Sequence, residues 1–178
     1  MNQIKNIGGI GSIFALLGII PTVGPILVFA GFIMVVIAIY KLSQLLQQKE
    51  IFRNYLIAVI FNFLVVIILF FGIGTTVLFS LRGGMDNLGP GIILAAIFAW
   101  LTAIISAYFV KKSFMQIGQS TGVAAFKTAG KLHFLGNILL IILVGAILSF
   151  IAAIMQIIAF FELPQSVPGK PEKSIPTA

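Results

Sequence analysis

The sequence predicts an all-α integral membrane protein, a helical bundle of about five transmembrane helices, and three observations support this fold class. First, 60% of the residues are hydrophobic and only 8% are charged, whereas roughly 25% are charged in an ordinary soluble domain. Second, apolar runs of a length that suits a lipid bilayer recur along the chain. Third, Lys and Arg cluster at the ends of these runs, as membrane topology requires.

The first apolar stretch, residues 6–40, holds no charged residue and is interrupted by Pro21 and Pro25 on either side of Gly24. Proline clashes with the preceding turn of a helix, and one straight helix of this length would measure roughly 50 Å. We therefore predict a helical hairpin. Its first arm, residues 7–20, covers only about 21 Å of a hydrocarbon core of roughly 30 Å. Four spans plus a re-entrant first segment is thus the alternative architecture.

The next two apolar runs are separated by a turn-rich connector. A polar loop, residues 41–54, precedes the third run, residues 55–81, and the fourth run covers residues 92–110. Small residues recur at every fourth position along the fourth run, which predicts a face for close helix contact. This small-residue stripe consists of Gly91, Ala95, Ala99, Ala103 and Ala107.

The last apolar run follows a second basic segment, residues 111–131, in which Thr121 and Gly122 predict a helix break. As a single helix, residues 134–161 would measure about 42 Å, so we expect this helix to tilt or bend. It repeats the four-residue spacing of small residues at Gly145, Ser149 and Ala153. We predict that this face packs against the small-residue stripe of the fourth run.

The chain divides into two parts of different character. Residues 1–162 are the predicted transmembrane helical domain. Residues 163–178 contain four prolines and no apolar periodicity, which predicts a disordered, proline-rich tail.

Basic residues set the predicted orientation in the cell membrane. Because cytoplasmic loops carry an excess of Lys and Arg, we expect residues 41–54 and 111–131 to lie in the cytoplasm. Five crossings would then place the N-terminus inside and the C-terminus outside. The basic residues predicted at the membrane surface are Lys41, Lys49, Arg53, Lys111, Lys112, Lys127 and Lys131.

Few side chains are candidates for chemistry. The predicted spans contain no ionisable residue, which argues against a proton-coupled carrier, a voltage sensor or carboxylate catalysis. The chain has no cysteine and one histidine, so we predict no metal site, catalytic residue or cofactor. The neutral polar residues within spans are Asn62, Asn137 and Gln156. They form a possible intramembrane polar site or, alternatively, ordinary interhelical hydrogen bonds worth about 1 kcal/mol each.

Five short stretches together resemble a known family. They are residues 7–13 (IGGIGSI), 51–56 (IFRNYL), 120–123 (STGV), 126–132 (FKTAGKL) and 159–161 (AFF). In this order they resemble the DUF996 proteins of archaea and bacteria, over most of residues 1–163. The resemblance implies a small polytopic prokaryotic membrane protein of uncharacterised function, and it implies no activity or site residues.

The predicted function is that of a non-enzymatic structural or accessory membrane protein, acting through helix packing and a basic cytoplasmic face. Its expected partners are membrane lipid and either copies of itself or another membrane protein. Nucleic acid is not expected, because the basic residues lie at the ends of apolar runs. The alternative is a transporter or channel for a neutral or lipid-like solute, with residues 21–25 as its gate or site. A polar cavity that reached the three neutral polar residues would favour this alternative.

Overall fold

The structure, a computed structural model, describes residues 1–81, 88–142 and 144–165. The proline-rich tail predicted from residue 163 therefore lies almost entirely outside the described residues. Within them the chain forms six α-helices and no strand. The helices are α1 (Asn2–Leu16), α2 (Gly24–Leu45), α3 (Lys49–Leu81), α4 (Leu88–Thr121), α5 (Ala124–Ile138) and α6 (Val144–Phe161).

The predicted fold class, an all-α bundle of the membrane type, is confirmed. Four helices of the described chain, α2, α3, α4 and α6, are long and apolar enough to span a membrane. The other two, α1 and α5, are each only 15 residues long. Each helix packs against the next one along the chain, and α6 packs against α1. The six helices thus form a closed ring in chain order, with the slightest contact between α2 and α3.

The first apolar stretch is the helical hairpin that its prolines predict. After α1, a 3₁₀ turn at Leu17–Ile19 leads into α2, which has Pro25 in its first turn. The two arms cross where Gly11 lies against the backbone of Gly31. Because neither glycine has a side chain, the two backbones can approach more closely than ordinary side chains allow.

The last apolar run, predicted as one helix over residues 134–161, is instead a second hairpin. Helix α5 ends at Ile138, a 3₁₀ turn covers Leu139–Ile141, and Ile142 is extended with a ψ of 144°. A Cβ atom on Gly145 would collide with the carbonyl group of Leu139. The glycine therefore permits α6 to turn back tightly along α5. No proline marks this turn in the sequence.

The two hairpins are copies of one structural unit. Helix α5 and the 3₁₀ turn after it begin and end 122 residues after α1 and its 3₁₀ turn, respectively. Residues 23–40 align with residues 144–161, and half of the aligned positions are identical. The identical pairs are Val23 and Val144, Gly24 and Gly145, Ile26 and Ile147, Leu27 and Leu148, Phe29 and Phe150, Ile33 and Ile154, Met34 and Met155, Ile37 and Ile158, and Ala38 and Ala159.

The buried core lies at one end of the ring, where α1, α3 and α5 begin and α2, α4 and α6 end. The ring of Phe126 packs edge-to-face on Phe114 and Phe160, with centroid distances of 5.6 and 5.2 Å. Leu42 and Ile51 are fully buried beside them. We call this end of the molecule the basic end, for the side chains described below.

Both described ends of the chain lie at the basic end. Met1 and Gln165 line one pocket together with Tyr40 and Lys41, near the C-terminus of α2. The five-crossing model had placed the two ends of the chain on opposite sides. The break after Ile138 accounts for the difference, because it adds a reversal that the single long helix lacked.

Candidate functional site

The structure gathers all the predicted surface basic residues at the basic end. They come together there because five of the six helices begin or end with a basic segment at this end. Most of these side chains are exposed, whereas Lys111 and Lys127 are half-buried. The predicted set is Lys41, Lys49, Arg53, Lys111, Lys112, Lys127 and Lys131. Lys5, which is also half-buried, joins them at this end.

Lys111 is held by an aromatic ring of the neighbouring helix. Its Nζ lies 4.6 Å from the ring centroid of Phe134, a cation–π contact between α4 and α5. A Cβ on Gly130 would lie 3.2 Å from the Cα of Lys111. The absence of a side chain at Gly130 therefore lets α5 approach the backbone that carries this lysine.

A polar network that the sequence analysis missed joins the start of α3 to the end of α4. The amide of Asn54, which is 2% exposed, donates to Oε1 of Gln116 at 3.0 Å. Gln116 in turn donates through Nε2 to Oε2 of Glu50 at 3.3 Å. The other carboxylate oxygen of Glu50 pairs with Arg53 at 3.2 Å. The network therefore fixes the α3–α4 pair at the basic end and sets the carboxylate of Glu50 beside a cation.

The sequence contains a signal for this network in residues 49–54. Residues 41–54 are predicted as a polar loop, yet α2 runs to Leu45 and α3 begins at Lys49. The turn between them is short, and Gln47 takes a positive φ of 56° within it. Placing residues 49–54 on a helix puts Glu50 and Arg53 one turn apart and Asn54 on the face toward α4.

The small-residue stripe of α4 faces α3 rather than the last helix. A Cβ on Gly72 of α3 would collide with Ala95, and the hydroxyl of Ser106 donates to the carbonyl of Ala58 at 2.9 Å. Helix α4 packs mainly against α3 and α5. Burial varies along the stripe, with Gly91 exposed, Ala95 and Ala103 half-buried, and Ala99 and Ala107 buried.

The small residues of the last run pack against α5 and α1. A Cβ on Gly136 of α5 would lie 3.0 Å from the backbone nitrogen of Ser149 and 3.1 Å from the carbonyl oxygen of Gly145. Ala153 lines a groove between α1 and α6, opposite Ser12. The face predicted to meet α4 thus closes the second hairpin and joins it to the first.

Gln156 forms the hydrogen bond between the two hairpins. Its Nε2 donates to the hydroxyl of Ser12 at 2.9 Å, and that hydroxyl donates to the carbonyl of Gly8 at 2.8 Å. At the repeat-equivalent position the first hairpin has Val35. The polar contact is therefore specific to the α1–α6 interface.

The structure does not bring the three neutral polar residues together. Asn137 donates to the carbonyl of His133 in its own helix at 2.9 Å. Asn62 is exposed on α3, beside a groove lined by Pro25 and Phe63. With Gln156 directed at α1, the three amides lie on three helices with different neighbours. No group of three metal-ligating side chains occurs within the described ranges either.

Comparisons with known proteins identify the family to which the chain belongs. The model of the family described as "Protein of unknown function (DUF996)" matches residues 27–154. The chain is also similar to the "Uncharacterized protein MJ1644" of Methanocaldococcus jannaschii, at 32% identity over 171 residues, 94% of this chain and 95% of that protein. No solved structure matches the chain. This protein therefore belongs to the DUF996 family.

Proposed function

We propose that this protein is a non-enzymatic structural or accessory protein of the cell membrane, acting through helix packing and through its basic end. The observation that carries the proposal is the separation of Asn62, Asn137 and Gln156 on three helices. A binding site for a solute needs polar groups that converge on one cavity. Amides that lie on separate helices, one of which bonds to a neighbouring helix through Gln156 and Ser12, instead support a packed bundle.

The proposed membrane placement follows from exposure and charge. Large apolar side chains are exposed along the helices, for example Phe29 at 62%, Phe70 at 73% and Ile93 at 60%, and lipid would cover them. The basic end faces the cytoplasm by the positive-inside rule. Residues 41–54 and 111–131 are then cytoplasmic, as predicted, and both ends of the chain lie on the same side.

The proposed partners are anionic lipid at the basic end and, on the apolar faces, a second copy or another membrane protein. Each Lys or Arg near an anionic surface contributes about 1 kcal/mol. The side chains of Lys112 and Lys131 are exposed and so are free to approach phosphate groups.

A stability measurement in detergent tests the lipid contact. Added phosphatidylglycerol should raise the thermal midpoint more than the same amount of phosphatidylcholine. The double variant Lys112→Gln/Lys131→Gln should lose most of this difference, whereas Lys112→Arg/Lys131→Arg, the matched control, should keep it. Equal effects of the two lipids on the parent would contradict the proposal. Release of a neutral solute from proteoliposomes faster than from protein-free vesicles would favour the carrier alternative.

A further inference from the structure

The first arm of each duplicated hairpin has the length of one leaflet of a bilayer. From Lys5 to Ile19 the first arm rises about 21 Å, and the equivalent residues Lys127 and Ile141 are separated by the same distance. One leaflet including its headgroups is about 20–22 Å thick, half of a bilayer of about 40–45 Å. A hairpin with its lysine at the headgroups therefore has its tip near the midplane.

The tips themselves suit hydrocarbon rather than water. Ile19 and Ile141 are 73% and 71% exposed, and Ile20 and Ile142 beside them are also exposed. One backbone N–H group at each tip is satisfied locally, since those of Ile20 and Ile142 each bond to a carbonyl three residues earlier, at 3.0 Å in both turns. Such internal satisfaction is what the interior of a bilayer demands of backbone groups.

Helices α3 and α4 continue well beyond both tips. Val66 of α3 lines the same groove as Pro25 at the start of α2, and Trp100 of α4 bonds to Asn137 near the end of α5. From Val66 to Leu81 α3 rises about another 22 Å, and from Trp100 back to Leu88 α4 extends about 18 Å.

The side chains on this extension are apolar and exposed. Phe71, Leu78, Ile93 and Leu94 are between 57% and 64% exposed. An extension of this kind in water would be a large apolar patch, which soluble surfaces rarely carry. It therefore belongs in the second leaflet, and its length matches that leaflet.

The cross-section of the protein consequently differs between the two leaflets. All six described helices occupy the leaflet at the basic end, and of these only α3 and α4 continue into the opposite one. Although α2 and α6 are long enough to span a membrane, each begins at the tip of its hairpin. A helix of about 10 Å diameter covers roughly 80 Å², so four additional helices expand one leaflet by roughly 300 Å². Elements that expand one leaflet respond to membrane curvature.

We propose that this protein is a membrane wedge, which favours bilayers that are convex on the side of its basic end and promotes such curvature when concentrated. The two duplicated hairpins are the wide part of the wedge, and the α3–α4 extension is its narrow part. The inference rests on the membrane placement proposed above but not on the contact with anionic lipid.

The native chain offers a direct probe of the depth of the tips. It contains a single tryptophan, Trp100, which lies level with the end of α5. In proteoliposomes, lipids brominated near the end of their acyl chains should quench the fluorescence of Trp100 more strongly than lipids brominated near the headgroup. The reverse order would place the tips at a membrane surface and overturn the wedge.

Curvature preference is tested on single vesicles of neutral phosphatidylcholine, so that lipid charge plays no part. Because the chain has no cysteine, a Gln44→Cys variant carries one reactive thiol at the basic end. A membrane-impermeant dye labels molecules whose basic end faces outward, and a permeant dye of another colour then labels the rest. The numbers of outward-facing and of inward-facing molecules per unit of membrane area are then measured as a function of vesicle diameter.

The two orientations of one protein serve as matched controls for each other. Outward-facing molecules should become several-fold denser as diameter falls, and inward-facing molecules should become sparser. Densities that are independent of diameter, or that change in the same direction for both orientations, would overturn the proposal. Neither result would change the outcome expected when phosphatidylglycerol is compared with phosphatidylcholine. The wedge can therefore be disproved while the proposed contact with anionic lipid stands.

Discussion

The indole N–H of Trp100 donates a hydrogen bond of 2.9 Å to the backbone carbonyl of Asn137. Asn137 is the next-to-last residue of α5, and its carbonyl also accepts the backbone N–H of Leu139 at the helix C-terminus. The contact with Trp100 therefore ties the tip of the second hairpin to α4 and satisfies the indole N–H, which lipid cannot satisfy.

Replacing this tryptophan by phenylalanine should lower the free energy of unfolding by about 1–2 kcal/mol. The variant keeps an aromatic ring but loses the donor, and with it a hydrogen bond between α4 and α5. Unfolding in a denaturing detergent, followed by circular dichroism, measures the change. Leu101→Phe, at an exposed neighbouring position, should stay within about 0.5 kcal/mol of the parent. Equal stability of Trp100→Phe and the parent would mean that the hydrogen bond does not contribute.

The small-residue stripe predicts a sharp contrast between two neighbouring alanines. Ala99 is 5% exposed, whereas Ala96, about one turn earlier on α4, is exposed. Ala99→Phe should destabilise the bundle by about 1–3 kcal/mol through overpacking, and Ala96→Phe should have little effect. Thermal midpoints of both variants in one detergent give the comparison. A tolerated phenylalanine at Ala99 would mean that this face of α4 lies open to lipid.

The sequence predicted the features that local physics determines. Gly122 takes a φ of +77° between α4 and α5, and a Gly at this point was enough to predict the break. Lys111 and Lys112 likewise indicated which end of α4 meets the surface. The partner of the small-residue stripe was not predictable in this way. Small residues identify a face of a helix but not the neighbour that packs on it.

The second hairpin escaped prediction because its turn has no strong local signal. Leu139 to Ile142 are all apolar, and such residues would equally well continue a helix. The turn is stabilised by tertiary contact, since Gly136 and Gly145 let α5 and α6 approach closely. The signal that was available is the internal repeat. Alignment of residues 23–40 with residues 144–161 would have transferred the proline-marked hairpin of the first copy to the second.

Gly31 should resist even the smallest substitution. A Cβ there would lie 2.6 Å from the backbone nitrogen of Ala15 and 2.9 Å from the Cβ of Phe14. Gly31→Ala should therefore separate α1 from α2 and cost about 1–3 kcal/mol of stability. Gly74→Ala is the control, because a Cβ on Gly74 has nothing within 4 Å and alanine favours the helix. Similar unfolding curves for both variants would contradict the close crossing of the two arms.

The bond between Gln156 and Ser12 should appear as a coupling free energy. We expect Gln156→Val, which introduces the residue of the equivalent position in the first hairpin, to cost about 1 kcal/mol. In a double-mutant cycle with Ser12→Ala, the double variant should lose about 0.5–1.5 kcal/mol less stability than the sum of the losses in the two single variants. Strict additivity would show that α1 and α6 are held by apolar packing alone.

Both ends of the chain should be accessible from the same side of the membrane. Met1 and Gln165 line one pocket at the basic end, so an odd number of chain reversals separates them. Because the chain lacks cysteine, Asn2→Cys and Gln165→Cys each provide a single thiol for an impermeant reagent. In sealed vesicles of one orientation both variants should react alike, either from outside or only after permeabilisation. Asp86→Cys, in the connector between α3 and α4, should show the opposite accessibility in the same vesicles. Reaction of Asn2→Cys and Gln165→Cys from opposite sides would restore the five-crossing topology, because residues 134–161 would then cross the membrane once.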